Sequence, residues 1–511
     1  MTTSQIVMTV AIVIYLLVVM GIGVVYAKRN SDAGDFYLGG RKLGPFVTAM
    51  SAEASDMSSW LLMGLPGVAY LTGCASAFWT ALGLALGTYL NWLIVAKRIR
   101  RYTVKANNSI TVPQFFSERY RDKKGILVAI AAIVIIIFFI PYTASGFAAC
   151  GKLFHTLFGV DYMAATVVSA AVIVFYTMLG GFMAASTSDF LQSIVMTIAL
   201  IVILGYGINA AGGWDAVVSN AEALPGYLSL TETYDPASGE ALPYGKLTSA
   251  SMLAWGLGYF GMPHILLRFM AIHDENKLKL SRRIATVWVV ISMSAAVLIG
   301  IIGYSISKTG KIPMLEGSNS ETIIVNIANL LSSHGILLAL IAGIILSGIL
   351  AATMSTADSQ LLAASSSVSQ NLLKEVFHIN ISKKGEVVMA RVTVVIIALV
   401  ALFLARDPSS SVFNIVSFAW AGFGAAFGPV VLLALFWKRS NMWGALAGMI
   451  AGGAMVFIWK FLIAPIGGVW AIYELLPAFI VACLVNVIVS LVTPAPSEEI
   501  VKEFEEVAAM K

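Results

Sequence analysis

The chain has 511 residues, of which 59% are hydrophobic and 12% charged, with a formal net charge of +5 and a mean hydropathy of +0.87. A soluble domain carries about 25% charged residues, so these values exclude a soluble globular protein and leave a polytopic membrane protein. The positive charge carries no nucleic-acid message, because the basic residues sit between hydrophobic spans, and Cys74, Cys150 and Cys483 form neither a disulfide framework nor a metal spacing.

At roughly 20 apolar residues per crossing, thirteen spans are predicted. They cover 5–27, 45–72, 75–98, 126–150, 160–182, 189–212, 248–272, 284–307, 335–370, 388–405, 412–437, 441–464 and 471–494. The first lacks a basic leader and is followed by Lys28 and Arg29, so it reads as an anchor with its N-terminus outside. Every second loop is then basic: Arg41 and Lys42, Lys97 to Lys124, Lys277 to Arg283, Lys374 with Lys383 and Lys384, then Lys438 and Arg439. Loop 213–247 instead holds Asp215, Glu222, Glu232, Asp235 and Glu240 against Lys246. That asymmetry follows the positive-inside rule, and an odd number of spans places the C-terminus in the cytoplasm. The tail 497–511 reads as a short, acidic, solvated helix.

Within the second span, Ser51, Glu53, Ser55, Asp56, Ser58 and Ser59 interrupt apolar sequence, and Gly64, Pro66 and Gly67 follow. An unpaired polar group in lipid costs several kcal/mol. Small residues alone serve close helix packing; two carboxylates exceed what packing needs and mark a functional site. Further on, Gly180-Gly181 turns the chain and Asp189 opens the next helix. Ser186, Ser188 and Asp189 together read locally as an N-cap cluster.

The seventh span is also rich in Gly and Pro. Trp255, Tyr259 and Pro263 are spaced four and four, with Gly256, Gly258 and Gly261 among them and His264 and Arg268 beyond. An aromatic wall beside unwound backbone suits a small ring-bearing zwitterion; its plain alternative is packing. Tyr142, after Pro141 in the fourth span, can face the same cavity. In the ninth span Ala352, Ser355, Thr356 and Ser359 share one helical face. Two hydroxyls plus backbone carbonyls give neutral oxygens, which suit a monovalent hard cation, whereas Ca²⁺ wants converging carboxylates. Alternatively the hydroxyls bond back to their own helix; Asp358 in the same stretch favours the ion. No nucleophile–base pair, Cys/His spacing or phosphate loop indicates an enzyme.

Four spans separate the two interrupted ones. Interrupted helices at corresponding places in two halves point to a transporter of inverted repeats, here 45–212 and 248–437.

These stretches resemble the sodium/solute symporter family, and its sodium/proline symporter branch, over essentially the whole chain. The most specific are Leu38-Gly-Gly-Arg-Lys-Leu-Gly-Pro45 and Ser55-Asp-Met-Ser-Ser-Trp-Leu-Leu-Met-Gly-Leu-Pro66. Asn91-Trp92, Tyr142-Thr-Ala-Ser-Gly146, Gly180-Gly-Phe182, Trp255 to Pro263 and Ile349-Leu-Ala-Ala-Thr-Met-Ser-Thr356 continue the match. The resemblance implies an all-α LeuT-type fold, five helices plus five, with one extra N-terminal and two extra C-terminal helices. It implies Na⁺ held by carbonyls of Ala54, Met57 and Ala352 and hydroxyls of Ser355 and Thr356, with Asp56 critical to coupling. Trp255, Tyr259, Pro263 and Tyr142 would bind L-proline, joined by Ser58 and Trp60. Arg41 would belong to an inner gate, and Asp189 to an exit path or second cation site. The chain departs from the branch at Glu53, where a small residue is usual, and at Asp358, where a small hydroxyl or apolar residue is usual. Both add negative charge near the ion path, so with Ser359 they are candidates for a second cation.

The expectation is thus a non-enzymatic plasma-membrane transporter importing L-proline with Na⁺. Its rivals are the same machine with H⁺ or another solute (an amino acid, sugar or carboxylate) and, from another class, a channel or a non-transporting nutrient receptor.

Overall fold

The structure is a computed structural model describing residues 2–27, 32–379 and 382–510. Lys28 and Arg29 of the basic pattern lie outside the described residues, as do the side chains of Lys383 and Lys384.

Helix α1 (Thr3–Ala27) precedes the first interrupted span. That span is α2 (Pro45–Ser59), a wide turn over Trp60–Gly64, and α3 (Leu65–Thr72). Next come α4 (Cys74–Leu90), α5 (Ala96–Lys105), α6 (Val112–Tyr120), α7 (Ile126–Phe158) and α8 (Tyr162–Ala210). The second interrupted span is α9 (Lys246–Leu253), a 3₁₀ stretch over Ala254–Gly261, and α10 (Pro263–Ala271). Then follow α11 (Leu278–Lys308), α12 (Ile323–Ser332), α13 (Ile336–Ser366), α14 (Lys383–Leu404), α15 (Val412–Phe436), α16 (Met442–Ile458), α17 (Leu475–Val492) and α18 (Glu498–Ala509). The one sheet among the described residues is a hairpin, β1 (Glu232–Tyr234) with β2 (Ala241–Pro243), in the acidic loop.

Ten described helices are long and apolar enough to cross a membrane. The two interrupted spans are not among them, because their breaks leave short segments. Helix α8 has 49 residues, about 74 Å at 1.5 Å per residue, more than twice the hydrocarbon thickness. It bends at Gly181, whose φ is +61°, a conformation glycine adopts without cost. The chain therefore resumes its helix at Phe182, and Asp189 lies two turns inside it. The expected N-cap at Ser186, Ser188 and Asp189, and a helix opening there, are both corrected.

Helix α13 is the axle, packed on α1, α2, α7, α8 and α14. Every residue from Ile345 to Ser367 is buried, so its hydroxyls and Asp358 face protein. Glycines let backbones cross where the second break meets α4: a Cβ on Gly87 would collide with the Gly256 backbone.

The tail also departs from expectation, because α18 is docked. Ile500, Phe504 and Val507 make a buried stripe, while Glu503 and Glu499 pair with Arg121 at 2.6 and 3.2 Å, Glu505 with Lys438 and Glu506 with Lys105. Arg98 and Arg119 lie over the Phe504 ring. An acidic amphipathic helix beside basic loops gains more by docking than by solvation.

Candidate functional site

The two breaks and α13 meet at the centre. At Ser58 the backbone takes φ +49° and ψ −172°, a strained value for a residue with a side chain, and such strain concentrates at functional sites. The Ser58 hydroxyl accepts from the Trp60 N–H at 3.0 Å, and the Met57 carbonyl accepts from the same N–H. Just before the break, the Ala54 carbonyl lies 2.8 Å from Ser355 Oγ and 3.5 Å from Thr356 Oγ1. The Ala352 carbonyl lies 3.1 and 3.2 Å from the same hydroxyls. So the back-bonding geometry and the cross-helix geometry coexist. Each hydroxyl has one proton to give, so two carbonyls and two hydroxyls leave lone pairs free in a water-excluded place. Among the described residues no three His, Cys, Asp or Glu side chains group to hold a metal ion. The oxygens gathered here are neutral, a donor set for a small monovalent cation.

Beside it, Asp56 Oδ2 accepts from the Tyr259 hydroxyl, and the Asp56 carbonyl accepts from Tyr142 Oη at 3.2 Å. Asp56, Met57, Trp60, Tyr142 and Trp255 line one cavity with Leu84, Val416 and Trp420. Its volume is about 10 Å³, room for about one water, so a solute ring must push the aromatics apart. The rings of Trp60 and Trp255 lie 5.3 Å apart, and Phe413 stacks on Trp60 at 5.7 Å. The indole N–H groups of Trp60 and Trp255 are buried without a protein partner. The four-and-four spacing of Trp255, Tyr259 and Pro263 predicts one shared helical face, and the three do not share one. The first two lie on the 3₁₀ stretch, and Pro263 starts α10 after the extended Met262. Trp420 was not found from sequence. It accepts Tyr259 edge-on at 5.1 Å and donates to the Trp255 carbonyl at 2.7 Å.

Asp189 pairs with Arg268 of α10 at 3.1 Å and accepts from Ser51 Oγ at 2.6 Å. Arg268 also donates to Ser359 Oγ at 2.6 Å, and that hydroxyl lies 3.0 Å from Asp358 Oδ1. Arg268 thus joins three spans, through Ser51, Asp189 and Ser359, and brings a cation close to Asp358 from another span. Asp189 Oδ1 and Asp358 Oδ2 remain without protein partners. Glu53 stands apart: Oε1 accepts from Trp92 Nε1 at 2.9 Å, while Oε2 has none.

Two further polar clusters stand outside this centre. At the basic end, Arg41 donates to the Met270 and Ser109 carbonyls at 2.6 and 2.8 Å and to Asn108 Oδ1 at 3.0 Å. Burial, aided by Arg100, lowers its guanidinium to about 10, so it stays cationic at neutral pH. At the far end, buried Lys152 meets Glu321 at 2.8 Å. Glu321 accepts from Ser411 Oγ and from the Val412 and Phe413 N–H groups, capping α15 directly over the Trp60–Phe413 stack. Neither residue was singled out from sequence: Lys152 falls just past the predicted end of the fourth span, and only the longer helix α7 carries it inward.

The family model for the sodium:solute symporter family matches residues 36–452. The high-affinity proline transporter PutP of Bacillus subtilis is 43% identical over 486 residues, covering 95% of this chain and 98% of that one. The sodium/proline symporter of Escherichia coli is 41% identical over 505 residues, covering 98% and 96%. Among solved structures, a Na⁺-coupled sialic acid symporter in its substrate-bound outward-open state superposes with a TM-score of 0.78 at 16% identity. That match covers 96% of this chain and 99% of the other.

Proposed function

The chain belongs to the sodium:solute symporter family, and we propose from that premise a route by which its own residues couple sodium to solute. It is a multi-pass plasma-membrane transporter of the LeuT-type fold, not an enzyme, and it carries out Na⁺-coupled symport of L-proline. We place the N-terminus outside and the C-terminus in the cytoplasm, supported by the basic loops at one end and the acidic loop 213–247 at the other.

The observation that carries the coupling route is the pair of hydroxyls, Ser355 and Thr356, converging on the Ala54 carbonyl at the break. Sodium takes the carbonyls of Ala54, Met57 and Ala352 and the two hydroxyls, and so ties α2 to α13. The same break presents Asp56, Trp60 and the cavity wall, so an ion that fixes the break also shapes the solute site. Each ligand then favours the state the other prefers.

Proline is a zwitterion with an apolar ring. Its carboxylate takes the indole N–H groups of Trp60 and Trp255, and its ammonium faces Asp56. Its ring enters among Tyr142, Trp255 and Tyr259; Pro263 and Ser58 hold the two breaks in shape. Asp189, Asp358 and Ser359 form the place for a second cation, with Arg268 already supplying one positive charge. Arg41 closes the inner side. The two repeats, 45–212 and 248–437, move against each other around this centre.

The test is uptake of labelled proline into proteoliposomes under imposed Na⁺ or H⁺ gradients, competed by amino acids, sugars and carboxylates. Accumulation driven by Na⁺ and competed by proline alone supports the reading. Accumulation driven only by H⁺, or equal competition by another class, overturns it.

A further inference from the structure

Helix α11 borders two apolar grooves on the lipid-facing surface. The groove of about 380 Å³ beside α4 has no charged residue in its wall. The other, of about 460 Å³, lies between α11 and the second half of α8, with Met50 of α2 lining it. Its α11 wall is a stripe of Arg283, Val287, Ile291 and Ala295. Twelve residues of helix rise about 18 Å, slightly more than half of the roughly 30 Å hydrocarbon core, the depth one acyl chain occupies in a single leaflet. Ile201, Val287 and Ile291 are 60, 58 and 56% exposed. The polar pair in the wall, Trp288 Nε1 and Thr197 Oγ1, is satisfied internally at 2.9 Å.

At the membrane-surface end of this stripe stands Arg283. It is exposed, and none of the ion pairs among the described residues uses it. Lys277, Lys279 and Arg282 stand beside it, with no acidic residue from Asn276 to Lys308. A guanidinium without an ion-pair partner among the described residues, at headgroup depth and continuous with an acyl-length apolar groove, matches one molecule with a negative head and an apolar tail.

We propose that this groove is a binding site for one anionic phospholipid, its acyl chain along the Arg283–Ala295 stripe and its phosphate on Arg283. The proposal rests on the membrane reading of the chain and is independent of which solute is carried. The lipid would bear on the transport cycle through Met50, because the next residue, Ser51, is bonded to Asp189 and Arg268. Lipid filling the groove braces α2 against α8 and α11.

The test uses the purified full chain in mixed micelles with bromine-labelled acyl chains, which quench tryptophan on contact. The signal is the part of the quenching lost in Trp288→Phe. Phosphatidylglycerol should half-saturate it at a roughly fivefold lower mole fraction than phosphatidylcholine, about the effect of one arginine near an anionic headgroup. Arg283→Gln, an exposed change that leaves the fold intact, should abolish that preference. Equal half-saturation by the two lipids in the native chain means boundary lipid only and overturns the proposal, as does a preference that survives Arg283→Gln. If Trp288→Phe does not fold, native mass spectrometry decides on the same terms. The native chain should retain one phosphatidylglycerol that Arg283→Gln loses; no retained lipid, or equal retention by both, overturns the proposal.

Discussion

Ser355 and Thr356 touch both their own helix and the broken one, so removing either hydroxyl subtracts one neutral oxygen without leaving a buried charge unpaired. Ser355→Ala or Thr356→Ala should therefore fold and raise the Na⁺ concentration for half-maximal proline uptake by about tenfold, since one lost ligand of roughly 1.4 kcal/mol is one decade. Sodium titrations of uptake at fixed expression check this; unchanged half-saturation in both would move the ion elsewhere. Trp255 supplies ring contact and an unpartnered N–H to the neighbouring cavity beside Asp56. An aromatic contact is worth about 0.5–1.5 kcal/mol beyond burial, so Trp255→Ala should weaken proline binding about tenfold or more. Equilibrium binding on folded protein reads this, and Trp255→Phe, which keeps the ring, should recover part of the loss. Trp255, Tyr259, Ser355 and Thr356 were legible because their side-chain types were out of place in a lipid-spanning segment. Trp420 was not, because one more tryptophan in an apolar span carries no local signal.

At the scale of elements, both interrupted helices were legible from Gly, Pro and polar residues within apolar sequence, and both breaks fall where those residues lie. The partners of each break were not. Glu321 caps α15 and pairs with Lys152, 169 positions away along the chain. Both side chains are nearly excluded from water, at 4 and 6% exposed. Breaking a buried pair from one side leaves an uncompensated charge, which costs about 3–5 kcal/mol. Lys152→Met should lower the unfolding free energy by about that amount, less the relief from three remaining donors to Glu321. Lys152→Met with Glu321→Gln should cost less than the two single changes summed. Thermal unfolding of the four proteins in detergent measures the coupling; strict additivity would deny that the pair acts as a unit.

At the scale of the molecule, charge decides. Arg268 stands between Asp189 and the Ser359–Asp358 pair, so one guanidinium pairs with one carboxylate and reaches the second only through a hydroxyl, and Glu53 has no cation among its bonded partners. A carboxylate in so dry a place carries a proton or a cation. Glu53→Gln and Asp358→Asn should each be tested for charge moved per proline and for the pH profile of uptake. At least one should change one of these; two variants matching the native chain would mean that neither residue takes part in coupling.

The sequence by itself determined membrane class, the two broken helices, the polarity of the loops and the side chains proposed here for an ion and solute site. These are properties of composition and short-range spacing, and lipid enforces them segment by segment because backbone and charge have no water to turn to. Only the tertiary structure decided the pairings. Arg268 reaches Asp189 and Ser359, Glu321 reaches Lys152, Trp92 reaches Glu53, and the acidic α18 lies on Arg121 and Phe504's arginine neighbours instead of in solvent. Each joins residues tens to hundreds of positions apart, where no periodicity links one to the other. The partner of a buried charge is set by which helices pack together, and packing is a property of the whole chain.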